Sequence, residues 1–129
     1  MEQVKANIGQ ELFKIEITSP SGNVVIADEP VAKGGQDKGF SPKELLAASL
    51  AACTCATLQM YASRKVWDLQ KVNVEITLLE EEGKTTFNRN LHLEGNLDAE
   101  QRARLLSVAN ACPVHKILSH QIQIDTELA

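Results

Sequence analysis

Apolar and polar positions alternate along several stretches of this chain, and in one long stretch apolar residues run without a break. Leu12-Phe13-Lys14-Ile15-Glu16-Ile17 alternates, and Ser19-Pro20-Ser21-Gly22-Asn23 then supplies turn chemistry. Val24-Val25-Ile26-Ala27 resumes a β-branched run, so residues ~4–28 predict an N-terminal hairpin or meander. Lys33 to Gly39 reads as a plain loop. Its glycines match neither a phosphate-loop pattern nor a dinucleotide fingerprint, because no strand–glycine–helix unit with a following Lys-Ser/Thr is present.

Ser41-Pro42-Lys43-Glu44 has the form of a capping box, with Ser at the N-cap, Pro at the first helical position and Glu two further on. Helix formers continue without Gly or Pro to about Lys65 or Val66. A helix of ~25 residues is roughly 37 Å long, about the diameter of a compact chain of this size. Its first half, Leu45 to Cys53, is apolar or small on every side and must be covered on every side. One small sheet cannot do that, so a second copy of the chain is the expected cover.

Lys71 to Leu78 alternates strictly, Glu80-Glu81-Glu82-Gly83-Lys84 forms a charged turn, and Phe87 to Gly95 returns with Leu91 and Leu93 on one face. The three glutamates read as a solvated hairpin loop rather than a metal site. Asp98 caps a second helix, expected to run through Leu105, Leu106 and Val108 to Cys112, where Pro113 interrupts it. A short turn from Val114 to Ser119 and a last strand, Ile122 to Leu128, complete the expected order ββ–α–ββ–α–β. This is an α+β fold, in one domain over residues 1–129.

Composition narrows the function. The chain is 43% hydrophobic and 23% charged, with a net charge of −4. Lys and Arg form no run, and one Trp, one Tyr and three Phe offer little base stacking. No nucleic-acid partner is expected. The longest apolar stretch, Leu45 to Ala56, is about a dozen residues against the ~20 of a membrane span, so no membrane partner is expected either. Three cysteines and no visible export signal argue against a disulfide framework. The expected location is cytoplasmic, with thiols reduced at rest.

The chemistry turns on Cys53, Cys55 and Cys112. Two thiols distant in sequence can be inert core residues or a redox pair. Cys53 and Cys55 sit about 200° apart around a helix, so they converge neither on one metal ion nor into one disulfide. Either one could meet Cys112 across the core. His115 stands three residues beyond Cys112 as a turn histidine or as a neighbour that raises thiolate content.

Gly39 to Thr54, followed by Leu58-Gln59-Met60-Tyr61-Ala62-Ser63-Arg64-Lys65, resembles the OsmC/Ohr family of osmotically inducible and organic hydroperoxide resistance proteins. Ala109-Asn110-Ala111-Cys112-Pro113-Val114-His115-Lys116 looks like that family's second cysteine segment, and Ala27-Asp28-Glu29-Pro30 with Gly34-Gly35 fits the entrance to its long helix. The resemblance implies an intertwined homodimer with long helices at its centre. It also implies a cysteine-based peroxidase for organic hydroperoxides, without cofactor or metal, in which Cys53 is oxidised and Cys112 resolves it. A dithiol would be the reductant. Peroxidase members of the family carry Glu directly after the proline that opens the helix and Arg on an N-terminal strand. Here Lys43 follows the proline and Glu44 comes next, so Glu44 is the candidate third site residue. No Arg precedes Arg64, and Lys14 is the stand-in. The alternative is a non-catalytic small-molecule-binding protein on the same fold, with inert buried thiols.

Overall fold

Ser41 begins the long helix as its pattern predicts. In the computed structural model, which describes residues 1–129, Ser41 Oγ accepts from the Glu44 amide at 3.2 Å, and the Glu44 carboxylate accepts from the Ser41 amide at 2.8 Å. Helix α1 then spans Pro42–Lys65. Its far end closes in a Schellman motif: the Val66 amide donates to Ser63 O and the Trp67 amide to Ala62 O. Val66 takes the left-handed position with φ +55° and is 89% exposed. That position favours glycine, and a β-branched side chain is strained there. Val66→Gly is therefore expected to stabilise the fold by about 1 kcal/mol, read as a higher midpoint in thermal unfolding. A lower midpoint would refute the strain.

The chain divides into two compact units, Met1–Leu46 and Ala47–Ala129. In the first, β1 (Lys5–Ile8), β2 (Ile15–Thr18) and β3 (Val24–Ala27) form an antiparallel sheet in chain order. The expected meander is therefore present, with three strands. A 3₁₀ turn at Val31–Lys33 and the loop beyond it follow. This segment is organised by one buried side chain, Asp28. One carboxylate oxygen accepts from the amides of Phe13 and Glu29, at 3.3 and 2.8 Å. The other accepts from Gln36 and Lys38, at 3.3 and 3.2 Å. Burial opposes the charge, but these four donors outweigh it and hold the carboxyl below its ordinary value.

In the second unit β4 (Asp68–Glu81) and β5 (Lys84–Asn96) make one long hairpin around Glu82-Gly83. Glu80 and Glu81 belong to β4, so the turn is shorter than the charged stretch suggests. Near its base the register shifts between Leu69 and Lys71. Gly95 lies opposite, at φ +148°, where a Cβ would stand 1.9 Å from Asp68 O. Only glycine lets the strands close there.

Helix α2 (Ala99–Ala109) begins with a complete capping box between Asp98 and Gln101. Leu58 and Ala62 of α1, Leu69 of β4, and Leu105 and Ala109 of α2 form the buried core. Fully burying Leu58 and Leu105 is worth roughly 2 kcal/mol each. Tyr61 and Trp67 pack against this core edge to face.

Three expectations are corrected. α2 ends at Ala109 with Asn110 as its cap, short of Cys112. The segment read as a turn is a helix, α3 (Pro113–Leu118), in which proline opens a helix rather than only stopping one. Residues 122–128 form no strand, because no neighbouring strand pairs with them. The element order is thus βββ–α–ββ–α–α.

Along α1 only Leu50, Thr54, Leu58 and Ala62 are buried, one residue per turn. Ala52, Ala56 and Met60, on other faces, are exposed. By length and composition α1 also meets the measure for a membrane-spanning helix, which core helices of globular proteins pass as well. The expectation of no span rested on the unbroken apolar stretch alone.

Candidate active site

Cys53 lies in the fourth turn of α1, and its position on the helix decides what it meets. It neighbours the buried stripe at Thr54, so its side chain turns toward the start of α3. Cys53 Sγ accepts from the Val114 amide at 3.5 Å and lies 3.9 Å from Thr57 Oγ1. Cys112 is the N-cap of α3, extended at φ −66° and ψ 144°, and its sulfur accepts from the His115 amide at 3.3 Å. The two thiols thus bind consecutive backbone N–H groups. An N–H aimed at sulfur is placed to receive charge that gathers there.

Their exposure differs. Cys112 is fully buried, whereas Cys53 is half-buried and open to a small reactant. Cys55 is half-buried, makes no hydrogen bond and is not brought to the α3 start. Of the two helix cysteines, it is Cys53 that meets the Cys112 segment. All three are free thiols. No group of three or more metal-ligating side chains converges anywhere.

The residue that sequence reasoning missed is Arg89. From β5 its guanidinium donates to Thr54 Oγ1 at 3.1 Å and to Asn110 Oδ1 at 3.0 Å, and it lies 3.0 Å from His115 Nδ1. It ties α1, the end of α2 and the first turn of α3 together. Thr54 in turn donates to Leu50 O at 2.7 Å. Guanidinium nitrogens only donate, so His115 Nδ1 must accept and the imidazole proton sits on Nε2. The signal lay in the hairpin alternation. Phe87, Arg89, Leu91 and Leu93 share the half-buried row of β5, and Arg89 is the one cation among them.

Glu44 is exposed, with its carboxylate accepting from the Ser41 amide at the start of α1. Lys14, exposed, lies just before β2 with its amide bonded to Glu11 O. Both belong to the first compact unit, whereas both thiols belong to the second.

A family model described as OsmC-like protein matches residues 35–127. Among solved structures, a Psychrobacter arcticus 273-4 protein is 26% identical with a TM-score of 0.79, over 91% of this chain and 88% of that one. It is provisionally designated an osmotic stress induced and detoxification response protein. The organic hydroperoxide resistance protein OhrB of Bacillus subtilis is 25% identical with a TM-score of 0.63, over 92% and 90%. An OsmC-like protein from Mycoplasma pneumoniae, 20% identical with a TM-score of 0.78 over 92% and 86%, shares the fold. A search of curated proteins finds no match. With the family pattern spanning most of the chain, including both cysteine segments, this protein belongs to the OsmC-like family.

Proposed function

We propose that the protein is a thiol-dependent peroxidase that reduces organic hydroperoxides to alcohols. The observation that carries this reading is the pair of free thiols, Cys53 and Cys112, held on the consecutive amides of Val114 and His115. The family, with a 25% identical relative named for organic hydroperoxide resistance, supports the substrate class.

The chemistry proceeds in three steps. The Cys53 thiolate attacks the distal peroxide oxygen, the O–O bond breaks, and the alkoxide leaves as an alcohol after taking a proton. Cys53 becomes a sulfenic acid. The Cys112 sulfur then attacks that sulfur, water leaves and a disulfide forms, which protects Cys53 from further oxidation. An external dithiol returns both thiols by exchange, taking the two oxidising equivalents itself. Because Cys112 is sealed from solvent, a peroxide arriving from outside meets Cys53 first. Glu44 enters this reading as a third site residue by family resemblance alone.

Steady-state reduction of cumene hydroperoxide with dithiothreitol tests the proposal. Turnover well above that of a Cys53→Ser protein is expected, and equal rates would overturn it.

The same reading places the protein in the cytoplasm, where thiols stay reduced, and makes it a homodimer. Uncovered apolar positions on α1, Ala52, Ala56 and Met60 among them, support the second copy. Sedimentation at micromolar concentration is expected to give twice the 14.1 kDa chain mass. A monomer there would refute the dimer.

A further inference from the structure

β5, α1, α2 and α3 line a half-open cavity of about 410 Å³, within the range of small-molecule sites. One side is apolar, formed by Leu50, Phe87, Leu91 and Leu106. The rest carries Arg89 and His115, with the uncharged Thr85, Asn110 and Ser119 beside them. No acidic side chain lines it.

The charge on Arg89 is not neutralised. Its partners Thr54, Asn110 and His115 carry no carboxylate, and the ion pairs Met1–Glu2 and Lys38–Glu11 do not involve it. A half-buried guanidinium among leucines without a carboxylate is uncommon, since charges withdrawn from water are normally paired. His115 adds a second donor. With Nδ1 occupied by Arg89, its Nε2–H has no partner in the protein. No polar side-chain atom is left buried and unsatisfied, so this donor remains open to a ligand. Two donors, one of them cationic, thus line a cavity that also carries a wall of leucine and phenylalanine side chains and no carboxylate.

We propose that this cavity binds an aliphatic monocarboxylate, with the carboxylate at Arg89 and His115 and the alkyl chain along Leu50, Phe87, Leu91 and Leu106. The anion supplies the counter-charge that the fold omits. Binding needs neither cysteine, so the site stands or falls apart from the peroxidase reading.

Calorimetric titration of the reduced protein with octanoate and with 1-octanol separates charge from chain. Octanoate is expected to bind at least about tenfold more tightly, the range of a charge-assisted hydrogen bond. Hexanoate should lose about fourfold in affinity per methylene removed. Arg89→Gln should erase the preference for octanoate over octanol while leaving octanol affinity in place, and Arg89→Lys should retain part of it. Methyl resonances of Leu50, Leu91 and Leu106 should shift on adding octanoate. Equal affinities for octanoate and octanol in the unaltered protein would overturn the proposal. So would no octanoate binding at millimolar concentration, or shifts confined to other methyl groups. The comparison in the unaltered protein decides the matter even if Arg89→Gln fails to fold.

Discussion

Cys112→Ser should complete one round of peroxide reduction and then stop, with one oxygen atom retained on Cys53. Under excess peroxide that sulfur should advance from sulfenic to sulfinic acid, because nothing remains to condense with it. Cys53→Ser should lose even the first round, a fall of about 10⁴-fold or more as expected for a deleted nucleophile. Cys55→Ser should cost little beyond packing, since its side chain makes no hydrogen bond and does not reach the α3 start. Intact-mass spectrometry after one equivalent of peroxide reads all three. The opposite pattern, oxygen gained by Cys53→Ser and not by Cys112→Ser, would reverse the roles of the two thiols.

Asp28→Asn is expected to produce the largest loss of stability of any isosteric polar change. Each carboxylate oxygen accepts from two amides. An asparagine can serve only one of those pairs, and its NH₂ group would confront the other pair donor to donor. A fall in Tm on the order of 10 °C is expected, and an unchanged Tm would refute the hub. The pH dependence follows from the same geometry. The folded carboxyl lies below the unfolded value of about 3.9, so its contribution is complete above that pH. It is lost as pH falls further, through the folded value. The unaltered protein should therefore lose stability steeply below pH ~4, and Asp28→Asn less steeply. Parallel acid unfolding curves would show that other carboxyls dominate.

How legible this fold was depended on whether a signal was local. Ser41 with Glu44 and the cap at Asp98 state the two helix starts locally; the first box forms as expected, and Gln101 completes a second one at Asp98. The alternation of Val72, Val74, Ile76 and Leu78 states which face of β4 is half-buried. Signals that depend on distant partners failed. Ile122 and Ile124 carry a strand pattern, yet alternation makes a strand only where another strand is present to pair. α3 is six residues long, too short for helical periodicity to register, so from sequence Pro113 reads as a stop. The thiol pair was half legible. Family resemblance singles out Cys53 and Cys112, while the residues by themselves leave Cys53 and Cys55 open until packing places Cys53 at the α3 start. Arg89 meets Thr54 across 35 residues of sequence, and nothing local announces that contact.

The attachment of both sulfurs to neighbouring amides also makes the α3 start an internal gauge of thiol state. Val114 N–H guards one cysteine and His115 N–H the other. Each amide proton is expected to exchange faster when its own sulfur departs. Two adjacent signals in an exchange spectrum can therefore follow two cysteines independently, without a label on either.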